Sequence, residues 1–220
     1  MIYGPRIAEW TDAELFRLTR DTRWWVTHDH EGHGIGDWVD TRAHLLVLYS
    51  LARYVCCLDP MRPHVVDHPP LCLEVGVRHG ITTMALLHAM RETGGRLISL
   101  EIAEGPLFVA LERVEAAKLS CWWQPVLRSS DAFAEHDLPT LLPSLDLLWL
   151  DGDHSYEQTK RDVDNYSPWV RPGGFVVLHD SANVLEPGVV QVVAEMKDSG
   201  KYEMLTLCFS YGMTIARVVG

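Results

Sequence analysis

The apolar positions of this chain follow two rhythms, and the change comes near residue 70. Upstream the spacing is helical. Thr11 stands where an N-cap belongs, ahead of DAELFRLTRDTRWW, which predicts a first helix. DWVDTRAHLLVLYSLARYVCC, residues 37–57, predicts a long, largely apolar helix packed on two sides. Between them VTHDHEGHGIGDW, rich in Gly and His, reads as a loop, and LDPMRPHVVDHPP, with four prolines, reads as an irregular connection. Downstream, short apolar runs alternate with helical spacing. Strands are expected at 71–77, 96–102, 125–130, 145–151 and 173–180. Helical segments are ITTMALLHAM, GPLFVALERVEAAKL with Pro106 in its first turn, SYEQTKRDVDNYSPWV and PGVVQVVAEMKDSG. The third of these places Tyr156, Val163, Tyr166 and Val170 on one face, and the last does so with Val189, Val192, Val193 and Met196.

Strands alternating with helices imply a parallel sheet covered on both faces. The last two runs, Tyr202–Ser210 and Tyr211–Val219, are joined too tightly for a crossover helix and read as an antiparallel hairpin. Pro125 marks the third strand as an edge, because proline cannot complete a central ladder. The expected fold is therefore α/β: a three-layer sandwich on a mostly parallel seven-stranded sheet, with a C-terminal hairpin and an N-terminal helical cap. Residues 1–68 form the helical part with its loop, and residues 69–220 the sheet domain.

Composition narrows the function classes. The chain has 220 residues, 47% hydrophobic and 22% charged, an ordinary globular balance. A net charge of −11 with no basic stripe excludes a nucleic-acid partner. Arg17, Arg20 and Arg23 read as one solvated helix face. Five cysteines without a C-x-x-C point to a reducing compartment, with Cys72 and Cys208 expected as buried small hydrophobes. No signal peptide and no membrane-length apolar run is evident. The expectation is a soluble, cytoplasmic protein with no membrane partner.

Ligands of such sheets bind beyond the carboxyl ends of the strands. Every predicted strand ends in acid there: Glu74, Glu101, Asp131 after Ser130, Asp151 with Asp153 and His154, and Asp180 after His179. Acids on five strand ends repel one another unless hydroxyl, amine or metal partners are bound. EVGVRHG keeps only Gly76 and Gly80 of the dinucleotide pattern, with Glu74 ahead of them. A glutamate beside those glycines suits an ammonium-bearing ligand. Glu101 at the end of strand two can accept the hydroxyls of a ribose, and Ser130–Asp131 can reach an adenine edge. A ribose, an adenine and a cationic amino acid together make S-adenosylmethionine.

The motifs EVGVRHG, LEI, SSDA, LDGDHSYE and PGGFVVLHD resemble those of class I S-adenosylmethionine-dependent methyltransferases, a Rossmann-like fold, over roughly residues 70–220. The run LDGDHSYEQTKRDVDNYSPWVRPGGFVVLHD is similar to methyltransferase family 24 and to macrocin O-methyltransferase and cephalosporin hydroxylase-like proteins. The resemblance implies that Gly76, Gly80 and Thr82, with Glu74 nearby, flank the methionine part of the cofactor. It implies Glu101 on the ribose, and Ser130, Asp131 and Ala132 at the adenine, with Asp151 at the cofactor's edge. It also implies a divalent metal, Mg²⁺ in relatives, held here by Asp151, His179 and Asp180. His179 departs from the family pattern, since Mg²⁺ prefers oxygen ligands and imidazole suits transition metals. Asp153 and His154 compete as the general base for a substrate hydroxyl. The implied activity is O-methyl transfer to a small hydroxylated molecule, a sugar or another natural-product moiety such as an antibiotic precursor.

The loop with His28, His30 and His33 is read as a lid that brings Trp24, Trp25 and Trp38 to the substrate. The apolar helix 38–57 offers a homo-oligomer interface. Two other readings stand beside the methyltransferase: an NAD-dependent oxidoreductase on a Rossmann-like sheet, and a non-catalytic partner protein that kept the fold.

Overall fold

A computed structural model describes residues 35–58, 69–138, 144–208 and 211–220, with the backbone alone at 35–43 and 57–58. The expected first helix, Trp24, Trp25 and the three loop histidines lie outside the described residues. The chain divides into two compact units, Met1–Ala43 and His44–Gly220. Everything below concerns the second unit, apart from the start of the first helix.

Helix α1 runs Ile35–Arg53 and continues as a π-helical turn, Tyr54–Leu58. Then come β1 Leu71–Val75, α2 Ile81–Thr93, β2 Arg96–Glu101, α3 Glu104–Ala116 and β3 Trp123–Leu127. These are followed by α4 Ser130–His136, β4 Leu145–Leu150, α5 Tyr156–Tyr166, β5 Val170–His179, α6 Pro187–Asp198, β6 Tyr202–Leu207 and β7 Met213–Val218. The seven-stranded sheet has the order β3-β2-β1-β4-β5-β7-β6. Its first five strands are parallel, and β7 pairs antiparallel with both β5 and β6. Pro125 lies on edge strand β3, as its missing N–H requires.

Strand alternation sorts the side chains into two cores. Leu73, Val75, Ile98, Leu100, Leu148, Leu150, Val176 and Leu178 pack on one face with Phe133 of α4, Val163 and Tyr166 of α5, and Val189, Val192 and Met196 of α6. The intervening residues, Cys72, Glu74, Leu97, Ser99, Leu147, Trp149 and Val177, are buried on the opposite face. There Thr83 of α2 bonds Glu74, and Tyr49 of α1 bonds Glu92 of α2. Below the sheet Asp146 accepts from the Leu71 amide at 3.0 Å and pairs with buried Arg171 at 2.8 Å, tying β1, β4 and β5 together.

Several expectations are corrected. Ile35 and Gly36, expected only in the loop, belong to α1. β3 ends at Leu127, because Ser129 caps a helix, α4, that the apolar spacing did not suggest. Val170, expected on the α5 face, is the first residue of β5. A short 3₁₀ turn, Ser167–Trp169, ends the helical stretch, and Pro168 within it lacks the N–H to continue an α-helix. Cys208, expected to be buried, is exposed, because it follows the last residue of outer strand β6.

Candidate active site

The turn after β1 and the turn after β4 meet backbone to backbone. Gly76 has φ +90°, and a Cβ there would stand 2.1 Å from the Asp151 carbonyl oxygen. Gly80 opens α2, with Ala110 of α3 against it. The Glu101 carboxylate organises this loop. Its Oε2 accepts from the Val77 and Arg78 amides at 3.2 and 2.7 Å, and its Oε1 from the Ile102 and Ala103 amides, both at 2.9 Å. A carboxylate has about four lone-pair sites, so a ribose at Glu101 must share acceptors with the backbone.

Glu74 does not reach this cleft. It is fully buried, and its carboxylate accepts from Thr82 Oγ1 at 2.7 Å, Thr83 Oγ1 at 2.8 Å and Ser99 Oγ at 2.6 Å. Burial pushes its pKa up to about 7, against the three hydroxyls that favour the anion. Thr82 is likewise committed to Glu74. Ser130 is buried at the start of α4, Asp131 is half-exposed beside it, and the Ala132 amide is spent on the Ser129 cap.

Polar side chains gather at the carboxyl ends of β4 and β5. His154 Nε2 lies 3.6 Å from Asp151 Oδ1 and 3.4 Å from Asp180 Oδ2, and its Nδ1 is 3.6 Å from Glu186 Oε1. His179 Nδ1 lies 2.8 Å from Asp180 Oδ2 and 3.4 Å from Asp151 Oδ1. Its Nε2 meets Nδ1 of buried His44 from α1 at 3.0 Å, with the two rings edge-on. Asp180 holds the left-handed φ of +54°, and Asn183 donates to its Oδ1 at 2.9 Å. Burial works against charge here, yet the opposite charges win. Burial would raise both carboxyls, but His179 and His154 hold Asp151 far below the usual carboxylate range, and His179 holds Asp180 lowered. Burial would lower His179, but Asp151 and Asp180 push it up to about 10, and the neighbouring Asp151 and Asp180 carboxylates raise His154.

Asp153 stands apart from that cluster. It accepts from the Ser155 amide at 2.7 Å and closes the turn that Ser155 caps, and the Ser155 hydroxyl and amide together lower its pKa. Of the three residues expected around a metal, both His179 nitrogens are engaged. The donors that converge within 4.8 Å of one another are instead Asp151, His154 and Asp180. Sequence reasoning missed His44, Asn183 and Glu186. His44 is the one imidazole on the apolar stretch AHLLVLYSLA, which was a usable signal; the other two are made functional only by tertiary contact.

Together the strand order, the Gly76 loop, the acid after β2 and the acids after β4 and β5 are arranged as in a Rossmann-like methyltransferase fold. Residues 73–181 match the family model described as a methyltransferase domain, methyltransferase family 24. An O-methyltransferase from Bacillus cereus, solved in complex with SAH, superposes with a TM-score of 0.67 at 14% identity, covering 96% of this chain and 93% of that one. The O-methyltransferase TomG from Streptomyces achromogenes, involved in tomaymycin synthesis and solved with SAM, gives 0.63 at 18% identity over 100% of this chain and 93% of its own. A curated relative, an uncharacterised protein of Acanthamoeba polyphaga mimivirus, is 37% identical over 71 residues, 30% of this chain and 31% of its own length. The dinucleotide alternative loses its support: that fold orders its strands 3-2-1-4-5-6, whereas here antiparallel β7 is inserted beside β5. Among the described residues no helix is long and apolar enough to cross a membrane.

Proposed function

We propose that the chain transfers a methyl group from S-adenosylmethionine to a hydroxyl of a small molecule, a sugar or another hydroxylated natural-product moiety. The observation that carries this reading is His154 Nε2 facing Asp151 and Asp180 at 3.6 and 3.4 Å, at the strand ends where the cofactor loop also lies. When bound, the cofactor supplies an electrophilic methyl on a sulfonium. The donor set fits both absent groups. Glu101 and Asp131 offer acceptors to a ribose and an adenine, while two carboxylates and an imidazole suit a divalent cation. Asp151 and Asp180 would hold that cation, with His154 or His179 nearby. It would polarise the acceptor oxygen and lower its pKa.

The chain's own residues do the rest. Asp151 and Asp180 orient the acceptor hydroxyl. His154 Nε2 takes its proton as the oxygen bonds the methyl carbon and the carbon–sulfur bond breaks, which leaves the cofactor as the neutral thioether S-adenosylhomocysteine; Glu186 faces the opposite ring nitrogen. His179, braced by His44 and Trp149, faces Asp151 and Asp180 at 3.4 and 2.8 Å and offsets their mutual repulsion.

Methyl transfer from labelled S-adenosylmethionine to a panel of polyhydroxylated acceptors tests this. His154→Gln is expected to lower turnover about 10²–10⁴-fold with cofactor binding intact. Full turnover in that variant removes His154 from the reaction. Activity that survives both chelation and Asp151→Ala removes the metal. Cofactor binding without transfer to any acceptor would favour a non-catalytic partner instead.

A further inference from the structure

Gln158 stands in the first turn of α5, just after the loop that carries Asp151 and His154, yet its side chain points to the other end of the site. Its Nε2 lies 3.1 Å from Ser130 Oγ, 3.3 Å from Asp131 Oδ1 and 3.0 Å from Asp162 Oδ1. Its Oε1 accepts from Arg161 Nη2. That contact fixes the amide, with oxygen toward the guanidinium and nitrogen toward the acids. Two N–H hydrogens shared among three acceptors leave no spare donor. Arg161 Nε also reaches Asp131 Oδ1, at 3.4 Å. The Asp162 carboxyl is buried, and Tyr166 donates to the Ser130 carbonyl. So α5 grips the first turn of α4 at four points. Asp131 Oδ1 is engaged twice, and Oδ2 makes no hydrogen bond or ion pair among the described residues. The carboxylate itself is 48% exposed.

We propose that Gln158 is the positioning residue for adenine recognition: by engaging Asp131 Oδ1 it leaves Oδ2 as the acceptor for the 6-amino group. The inference rests on the reading of Asp131 as an adenine contact. It gives a specificity consequence. A purine with a 6-oxo group presents an acceptor to that carboxylate, and two acceptors face each other without a proton between them. Gln158 also places adenine selectivity and the His154 turn on one helical turn, because its own amide bonds the Ser155 cap at 3.3 Å.

The test is calorimetric titration of the full chain with S-adenosylhomocysteine and with S-inosylhomocysteine. The wild type is expected to prefer the adenosyl ligand at least about tenfold. Gln158→Ala is expected to weaken the adenosyl ligand about tenfold and leave the inosyl ligand unchanged, so that the preference collapses. Arg161→Met, at an exposed position, is expected to reduce the preference in the same direction, about threefold, and serves if the first variant does not fold. Loss of affinity for both ligands alike, or an unchanged preference, overturns the proposal. A wild type that binds neither ligand overturns the cofactor reading and this inference with it, and shows it in the unmodified protein.

Discussion

Gly76 holds φ +90°, and any Cβ there would fall 2.1 Å from the Asp151 carbonyl oxygen. The constraint comes from the neighbouring backbone, so the cofactor loop and the acid that ends β4 are fixed by one contact. Gly76→Ala is expected to cost at least about 2 kcal/mol, from left-handed strain plus the clash. Urea unfolding would measure it, and cofactor affinity should fall with it. Glu74 gives a second residue-scale prediction. Its folded pKa, about 7, stands above the ordinary 4.5. The folded state therefore favours the neutral acid. Its contribution is full below pH 4.5 and is lost as pH rises through 7, a swing of about 3 kcal/mol. Glu74→Gln should gain stability relative to wild type by that order between those limits. Parallel unfolding midpoints at all pH values would contradict it. The sequence revealed that an acid belonged at Glu74 but not its surroundings: that Thr82, Thr83 and Ser99 surround it depends on α2 lying over β1 and β2.

At the scale of elements, helix α6 fixes the position of the His154 turn. A Cβ on Gly188 would lie 2.4 Å from the Tyr156 amide nitrogen and 2.7 Å from the His154 carbonyl oxygen. The first turn of α6 thus presses on the backbone that carries His154. Gly188→Ala is expected to keep the circular-dichroism signature of the fold while lowering turnover about tenfold or more, since a displacement of about 1 Å at a reacting group costs up to about 10² in rate. Unchanged turnover would show that the His154 turn is not set by α6. The strands and most helices were legible because buried parallel strands read as apolar runs, and because Val189, Val192 and Met196 repeat at helical spacing. Helix α4 was not, since it is short and buries only Ser130 and Phe133. Its signal was chemical: Ser129 as a cap, followed by Asp131 in the first turn. β5 is expected from Gly173 but begins at Val170, because the helical reading of SYEQTKRDVDNYSPWV takes in Val170.

At the scale of the molecule, parallel strands deliver their carboxyl ends to one edge of the sheet, and the sequence places an acid at each. That logic made Glu101, Asp131, Asp151 and Asp180 legible before any coordinates. What it left out are partners from elements far apart in the chain: His44 against His179, Glu186 against His154, and Gln158 against Asp131. The acids do not simply repel. Glu101 is met by four backbone amides, and Asp151 and Asp180 by two imidazoles. Glu101→Ala should therefore loosen the Gly76–Gly80 loop as well as remove the ribose acceptor, weakening cofactor about tenfold or more. The most direct measurement is a calorimetric titration of the wild-type chain with S-adenosylhomocysteine, repeated on Glu101→Ala and Asp131→Ala. Saturable one-to-one binding, weakened in both variants, is the predicted result. No saturable heat from the wild type, or binding indifferent to both substitutions, would contradict the account.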